Sequence, residues 1–328
     1  MNRRLAIYEL VSENGLSETQ AQHLAAAAGV GSEPDWLARR LPQALAFLGA
    51  SLVGLGVILW LAANWPDLDR TTKFALLQAL IAGAGAVGFF CKPARSVALL
   101  LAFLAQGGVF AYFGQTYQTG ADTWELFAWW AACGLPLALA ARHDTVWLAW
   151  SVVATTAISL WTEALAGHGW RFRAEVSHLY YLAWTIEAVL IALLGPFPRL
   201  RLAIGSGPWS FRYAVLVVVA HVCVTALSAL FDSSIQAHFV VGLGITLAAC
   251  ALFGRGRFYD VIALSSAILA VDVLLICGAA HLLFDKVHDG TSIFLFLGLF
   301  SAGVVAASAA TARSLISSHT ATEPEVSP

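Results

Sequence analysis

The sequence predicts an all-α protein: a polytopic transmembrane helical bundle of about ten spans behind a short N-terminal cytosolic helical element. Three observations lead there. Of the 328 residues, 59% are hydrophobic and only 12% charged, with a mean hydropathy of +0.75, whereas soluble domains run at about 45–50% apolar and about 25% charged. Apolar runs of about 18 residues or more recur along most of the chain, each long enough at about 1.5 Å per residue to cross a hydrocarbon core of about 30 Å. Finally, 20 acidic against 18 basic residues leave a formal net charge of −2, so there is no basic field to hold a nucleic-acid backbone. The bilayer is the expected partner and nucleic acid is excluded.

The elements follow in chain order. Arg3 and Arg4 are followed by Tyr8, Glu9, Ser12, Glu13 and Asn14 in place of an apolar core, so no cleavable signal peptide is expected. Leu5, Tyr8 and Val11 share a helical stripe, and Ser17-Glu18-Thr19-Gln20 has capping-box spacing ahead of an Ala-rich helix ending near Gly29. Residues 1–40 therefore read as a cytosolic helical element, 41–313 as the bundle, and 314–328, polar with two prolines, as a disordered cytosolic tail.

Spans are expected at 43–63, 74–91, 96–113, 124–141, 145–166, 178–195, 212–231, 236–253, 258–281 and 291–312. Lys and Arg should collect in alternate connections on the cytoplasmic side. On this reading Arg70, Lys73, Arg171, Arg173 and Lys286 fall on one side and all the other basic residues on the opposite one. That asymmetry places both termini in the cytoplasm. Cys91, Cys133, Cys223, Cys250 and Cys277 occur singly, without a Cys-x-x-Cys pair, and read as small hydrophobes rather than as a disulfide or zinc framework.

Ionisable groups inside spans are costly, about 2.5–3.5 kcal/mol each on insertion scales. Glu187 in the sixth span, His221 in the seventh and Asp272 in the ninth therefore stand out. A carboxyl, an imidazole and a second carboxyl facing the bundle interior make a proton relay or ion site. The alternative is that the carboxyls stay protonated and bond a nearby hydroxyl such as Thr185 or Ser265.

A polar segment, Gly114 to Trp124, follows the third span as an outer loop. Gln115, Tyr117, Gln118 and Asp122, together with Gln106 inside that span, are candidates to bind a solute. The neighbouring Trp124, Trp129 and Trp130 fit either stacking on a ring or anchoring at the interface. At the outer end of the ninth span His281, Asp285 and His288 share a helical face, but Lys286 and Asp289 mark a solvated end, so no metal is expected. No His-Glu-x-x-His, Walker or Gly-x-Ser-x-Gly pattern occurs, and Gly205-Ser206-Gly207 beside Pro208 reads as a flexible turn. Neither an enzyme nor a cofactor is expected.

Two stretches carry a resemblance. Glu13-Asn14-Gly15-Leu16-Ser17 with Gln20, Leu48-Gly49-Ala50, Gly54-Leu55-Gly56, Ala62-Ala63-Asn64-Trp65 and Lys73 make up the first. Gln106, Gly114 to Gly120, Trp130 and Pro136 make up the second. Together they resemble the bacterial membrane proteins of the domain of unknown function 2157, over roughly the first 145 residues. The resemblance implies a bacterial cytoplasmic (inner) membrane protein with an N-terminal cytosolic helical element, and no activity. The residues themselves suggest that Gly49, Gly54 and Gly56 admit a second helix against the first span, which Asn64-Trp65-Pro66 ends.

The function expected on these grounds is transport of a small solute or ion with proton coupling. The alternative is a membrane scaffold or sensor subunit for cell-envelope partners. An intramembrane enzyme using Glu187, His221 and Asp272 comes third.

Overall fold

A computed structural model describes residues 3–27, 35–63, 68–117, 120, 122–167, 173–195, 197–230, 237–286 and 290–320. Among these residues the chain is all α-helical, with no strand, and divides into two compact units, Met1–Leu52 and Val53–Pro328.

The first unit holds α1 (Arg3–Glu13), α2 (Glu18–Ala27) and the start of α3 (Asp35–Ala63). The Ser17 N–H donates to Gln20 Oε1 at 3.0 Å and the Gln20 N–H to Ser17 Oγ at 3.4 Å. These reciprocal bonds satisfy two of the otherwise unpaired N–H groups at the start of α2. The side chains of Leu5 and Tyr8, and Gly29, lie outside the described residues. α3 runs on through residue 40 and accommodates Pro42.

The second unit continues with α4 (Arg70–Phe90), α5 (Arg95–Tyr117), α6 (Thr123–Ala141), α7 (Asp144–Ala166), α8 (Ser177–Leu194) and the short α9 (Pro198–Ile204). It ends with α10 (Pro208–Ser228), α11 (Ala237–Phe253), α12 (Val261–Lys286) and α13 (Gly290–Thr320). Each expected span falls on one helix of the set α3–α8 and α10–α13. Among the described residues nine helices are long and apolar enough to cross a membrane, while α11 has 17 residues.

Two boundaries differ from expectation. The polar loop expected from Gly114 begins later, because α5 continues to Tyr117, whose ring meets Phe113 at 4.7 Å and Phe74 at 6.3 Å. The tail expected after Arg313 is helical as far as Thr320: neither Gly nor Pro interrupts it there, and Leu315 packs on the core around Phe253 and Leu264.

α10 is the hub of this unit, touching α7, α8, α11 and α12. Its Phe211, Val215, Val219 and Ala226 belong to one core cluster with Leu264 and Leu274 of α12. Being apolar nearly all round, it is a helix that needs neighbours on every side.

The connection into α10 is packed tightly against the α6–α7 turn, and is not the flexible turn expected at Gly205-Ser206-Gly207. Gly207 caps α10 without a side chain and Pro208 occupies the first turn. The Asp144 carboxylate supplies the missing acceptor, taking the N–H groups of Gly207 and Trp209 at 2.9 Å and Ser210 at 3.0 Å. Arg142 Nη2 and Trp147 Nε1 donate to the Leu202 and Ile204 carbonyls at the end of α9, both at 2.9 Å. Gly205 has φ +75°, and a Cβ there would lie 2.4 Å from the Arg142 backbone, so only glycine fits.

His143 caps α7 in the same turn, its Nδ1 accepting from the Thr145 N–H at 3.3 Å. That role needs the neutral ring, and burial holds the His143 pKa below its ordinary value, outweighing the opposing pull of Asp144. A folded-state pKa below the unfolded one stabilises the protein above the unfolded value of 6.5 and loses that contribution as pH falls toward the folded value. Thermal melts in detergent between about pH 7 and pH 5 should show His143→Asn, a cap that does not titrate, losing less stability on acidification than the parent. Parallel curves would remove His143 from the acid response.

Candidate functional site

The buried face of α8 is a stripe at helical spacing: Tyr180, Ala183, Trp184, Glu187, Leu190 and Leu194. Glu187 lies ten residues into this helix, about 15 Å from its start by helical rise. His221 faces it from α10, seven residues before the end of that helix, because α8 and α10 run in opposite directions.

Glu187 Oε1 and His221 Nδ1 are 2.7 Å apart, with Glu187 0% and His221 7% exposed. A contact this short and dry is a strong hydrogen bond. Glu187 Oε2 has no hydrogen-bond partner among the described residues, leaving one acceptor of the carboxyl open. The His221 carbonyl accepts from Thr225 Oγ1 at 2.7 Å. The one guanidinium on α10, Arg212, is nine residues from His221, about 13 Å along the helix, and is bonded to Asp260 at 2.8 Å.

A narrow polar cleft of about 10 Å³ reaches His221, lined by Ser159, Thr162, Glu163, Tyr180, Thr225 and Ser228. That is close to the room one water takes. Its other lining residues belong to the end of α7, the start of α8 and the end of α10, so it lies toward the α7–α8 end of the bundle. On the same face of α8, Trp184 stacks on His238 of α11 with ring centroids 4.5 Å apart. Tyr180 and Tyr181 approach the same imidazole at 5.2 and 5.3 Å.

The remaining candidates are dispersed. Asp272 accepts from Ser308 Oγ across α12 and α13, and is not part of the Glu187–His221 contact. Gln106 is half-buried on α5, with Oε1 lacking a hydrogen-bond partner among the described residues. Gln115 and Tyr117 occupy the last turn of α5 and are exposed; Asp122 is the exposed residue ahead of α6; Gln118 lies outside the described residues. A Cβ on Gly54 would meet Leu101 and Leu104 of α5 at 3.3 Å, while Gly49 and Gly56 have nothing within 4 Å. His281 is within α12, but His288 and the Asp285 side chain lie outside the described residues.

Sequence reasoning missed Glu163 and His238, although both fall inside expected spans. Each is within a turn of a span end, where a polar side chain reads as interfacial. Lys73, expected in a connection, is buried in α4 with its ammonium 6.0 Å from the Tyr112 ring centroid.

A bundle of long apolar helices with a buried carboxyl–imidazole pair defines a polytopic α-helical membrane protein. Its residues 8–147 match the family model described as a predicted membrane protein, DUF2157, the stretch whose motifs carry the resemblance. No curated protein and no solved structure matches the chain.

Proposed function

We propose that this protein is a non-enzymatic transporter of the bacterial cytoplasmic membrane, with both termini in the cytoplasm, that moves a small solute or ion together with or against a proton held on the Glu187–His221 pair. The observation that carries the reading is the pair itself: two titratable groups 2.7 Å apart on different spans, with no Lys or Arg in α8. With one proton between them the pair is neutral overall; a second makes it cationic, and loss of the first makes it anionic. Either charge inside a bilayer is costly, so a change of protonation favours a change of helix position or the entry of a compensating ion. The pair joins α8 to α10, so its bond is lost or remade as those helices shift. The cleft lined by Glu163, Tyr180 and Thr225 supplies hydroxyls and a carboxyl on the way to His221.

The test is Glu187→Gln, which keeps the shape of the acid but cannot titrate. In proteoliposomes carrying an internal pH dye, the parent should take up protons after an external acid pulse, and the variant should be slower by on the order of a hundredfold, the lower end for losing a positioned proton-transfer group, with unchanged helix content. A scaffold or sensor subunit is the second reading, favoured by α13, which exposes Phe294, Leu295, Phe296, Leu299 and Phe300, a surface that suits a partner's membrane helix as well as lipid. If Glu187→Gln matches the parent in a growth assay that the gene deletion fails, proton coupling is wrong and the scaffold reading replaces it.

A further inference from the structure

A cavity of about 700 Å³ lies between α8, α10 and α11, within the about 300–1,000 Å³ usual for ligand pockets. Its walls are apolar: Ile191, Val215, Val218, Ile245, Ala249 and Leu252 are representative. The two threonine hydroxyls of the lining, Thr185 and Thr246, are turned back onto the carbonyls of Tyr181 and Leu243. α8 and α11 flank α10 on either side of the groove. Along α10 the lining runs from Phe211 to Val222, about 16 Å by helical rise, the depth of one leaflet in a hydrocarbon core of about 30 Å.

The mouth of the groove has a different chemistry. Each of its three walls ends there in an aromatic residue followed closely by an arginine: Phe197 with Arg199, Phe211 with Arg212, and Phe253 with Arg255. Arg212 is neutralised by Asp260 at 2.8 Å. Arg199 and Arg255 are exposed and have no acidic partner among the described residues. Arg199 also lines an adjoining hollow of about 490 Å³, which shares Phe197 with the groove.

We propose that this groove binds one molecule of an anionic membrane lipid, its acyl chain lying along α10 and its phosphate held at the mouth between Arg199 and Arg255. The length of the groove matches a chain of one leaflet, and the two uncompensated guanidinium groups match a negative headgroup. A zwitterionic lipid fits the apolar walls equally well but gains less at the mouth. The site is independent of proton coupling, so either proposal stands if the other fails.

The test uses the full-length protein exchanged into nanodiscs of phosphatidylglycerol and phosphatidylcholine in equal amounts, then extracted in mild detergent, with retained lipid counted by native mass spectrometry. The parent should retain phosphatidylglycerol over phosphatidylcholine by about thirtyfold, the ratio that about 1 kcal/mol from each of two cations gives at about 1.4 kcal/mol per factor of ten. Arg199→Gln with Arg255→Gln, both exposed and so compatible with the fold, should bring that ratio close to one. Ala249→Phe, which fills the groove, should lower retention of both lipids. Equal retention by the parent, or a preference that survives the double substitution, would overturn the proposal, as would full retention by a folded Ala249→Phe protein.

Discussion

Replacing Asp144 with alanine is expected to destabilise the protein by about 3 kcal/mol, the range for losing hydrogen bonds to a charged acceptor together with a helix cap. The carboxylate takes three backbone N–H groups at the start of α10, where Gly207 offers no side-chain oxygen and Pro208 no N–H. Its negative charge also faces the positive end of the α10 dipole and belongs to the first turn of α7. Asp144→Asn should cost about half as much: its amide oxygen can still serve Gly207 and Ser210, but its NH₂ would meet the Trp209 N–H donor to donor. Melting midpoints in one detergent, ordered parent, Asn, Ala, would check this. Equal midpoints would mean that water caps α10 as well as Asp144 does.

Gly107→Ala should cost about 2–3 kcal/mol through overpacking. The added Cβ would lie 2.3 Å from Cζ2 of Trp130, well inside contact distance. The indole has little freedom to retreat. Its Nε1 donates to the Phe103 carbonyl at 2.9 Å, and its ring stacks on Phe103 and Phe127 with centroids 5.4 and 6.0 Å away. A second variant, Gly107→Ala with Trp130→Phe, trims the indole and should recover part of the loss. Recovery would identify the clash as the cause, whereas a single variant as stable as the parent would show that α5 and α6 can move apart.

The spans were legible because hydrophobicity over a window of about 20 residues is a local property, and each expected span coincides with a helix. The junction at α9 was not. Asp144, Arg142 and Trp147 meet residues 57 to 66 positions further along the chain, and no local pattern encodes such a pairing. Glu187 and His221 were legible as individuals through the cost of burying them. Their partnership depends on the relative height of α8 and α10, which the intervening connection sets. Asp272 met the same criterion of cost, yet its partner is the Ser308 hydroxyl, a residue too common in membrane helices to signal anything in the sequence.

The capping of α10 from a distance has a consequence for how the chain enters the bilayer. The acceptor for the start of α10 lies 63 to 66 residues earlier in the sequence, with α7 and α8 between the two. The Asp144 turn is therefore synthesised before its partner, and the two meet only when both emerge on the same face of the membrane. A chain in which α7 or α8 failed to cross would put them on opposite faces and leave the N–H groups at the start of α10 without this acceptor, so one carboxylate ties the closing of the junction to the correct crossing of the two helices that separate its halves.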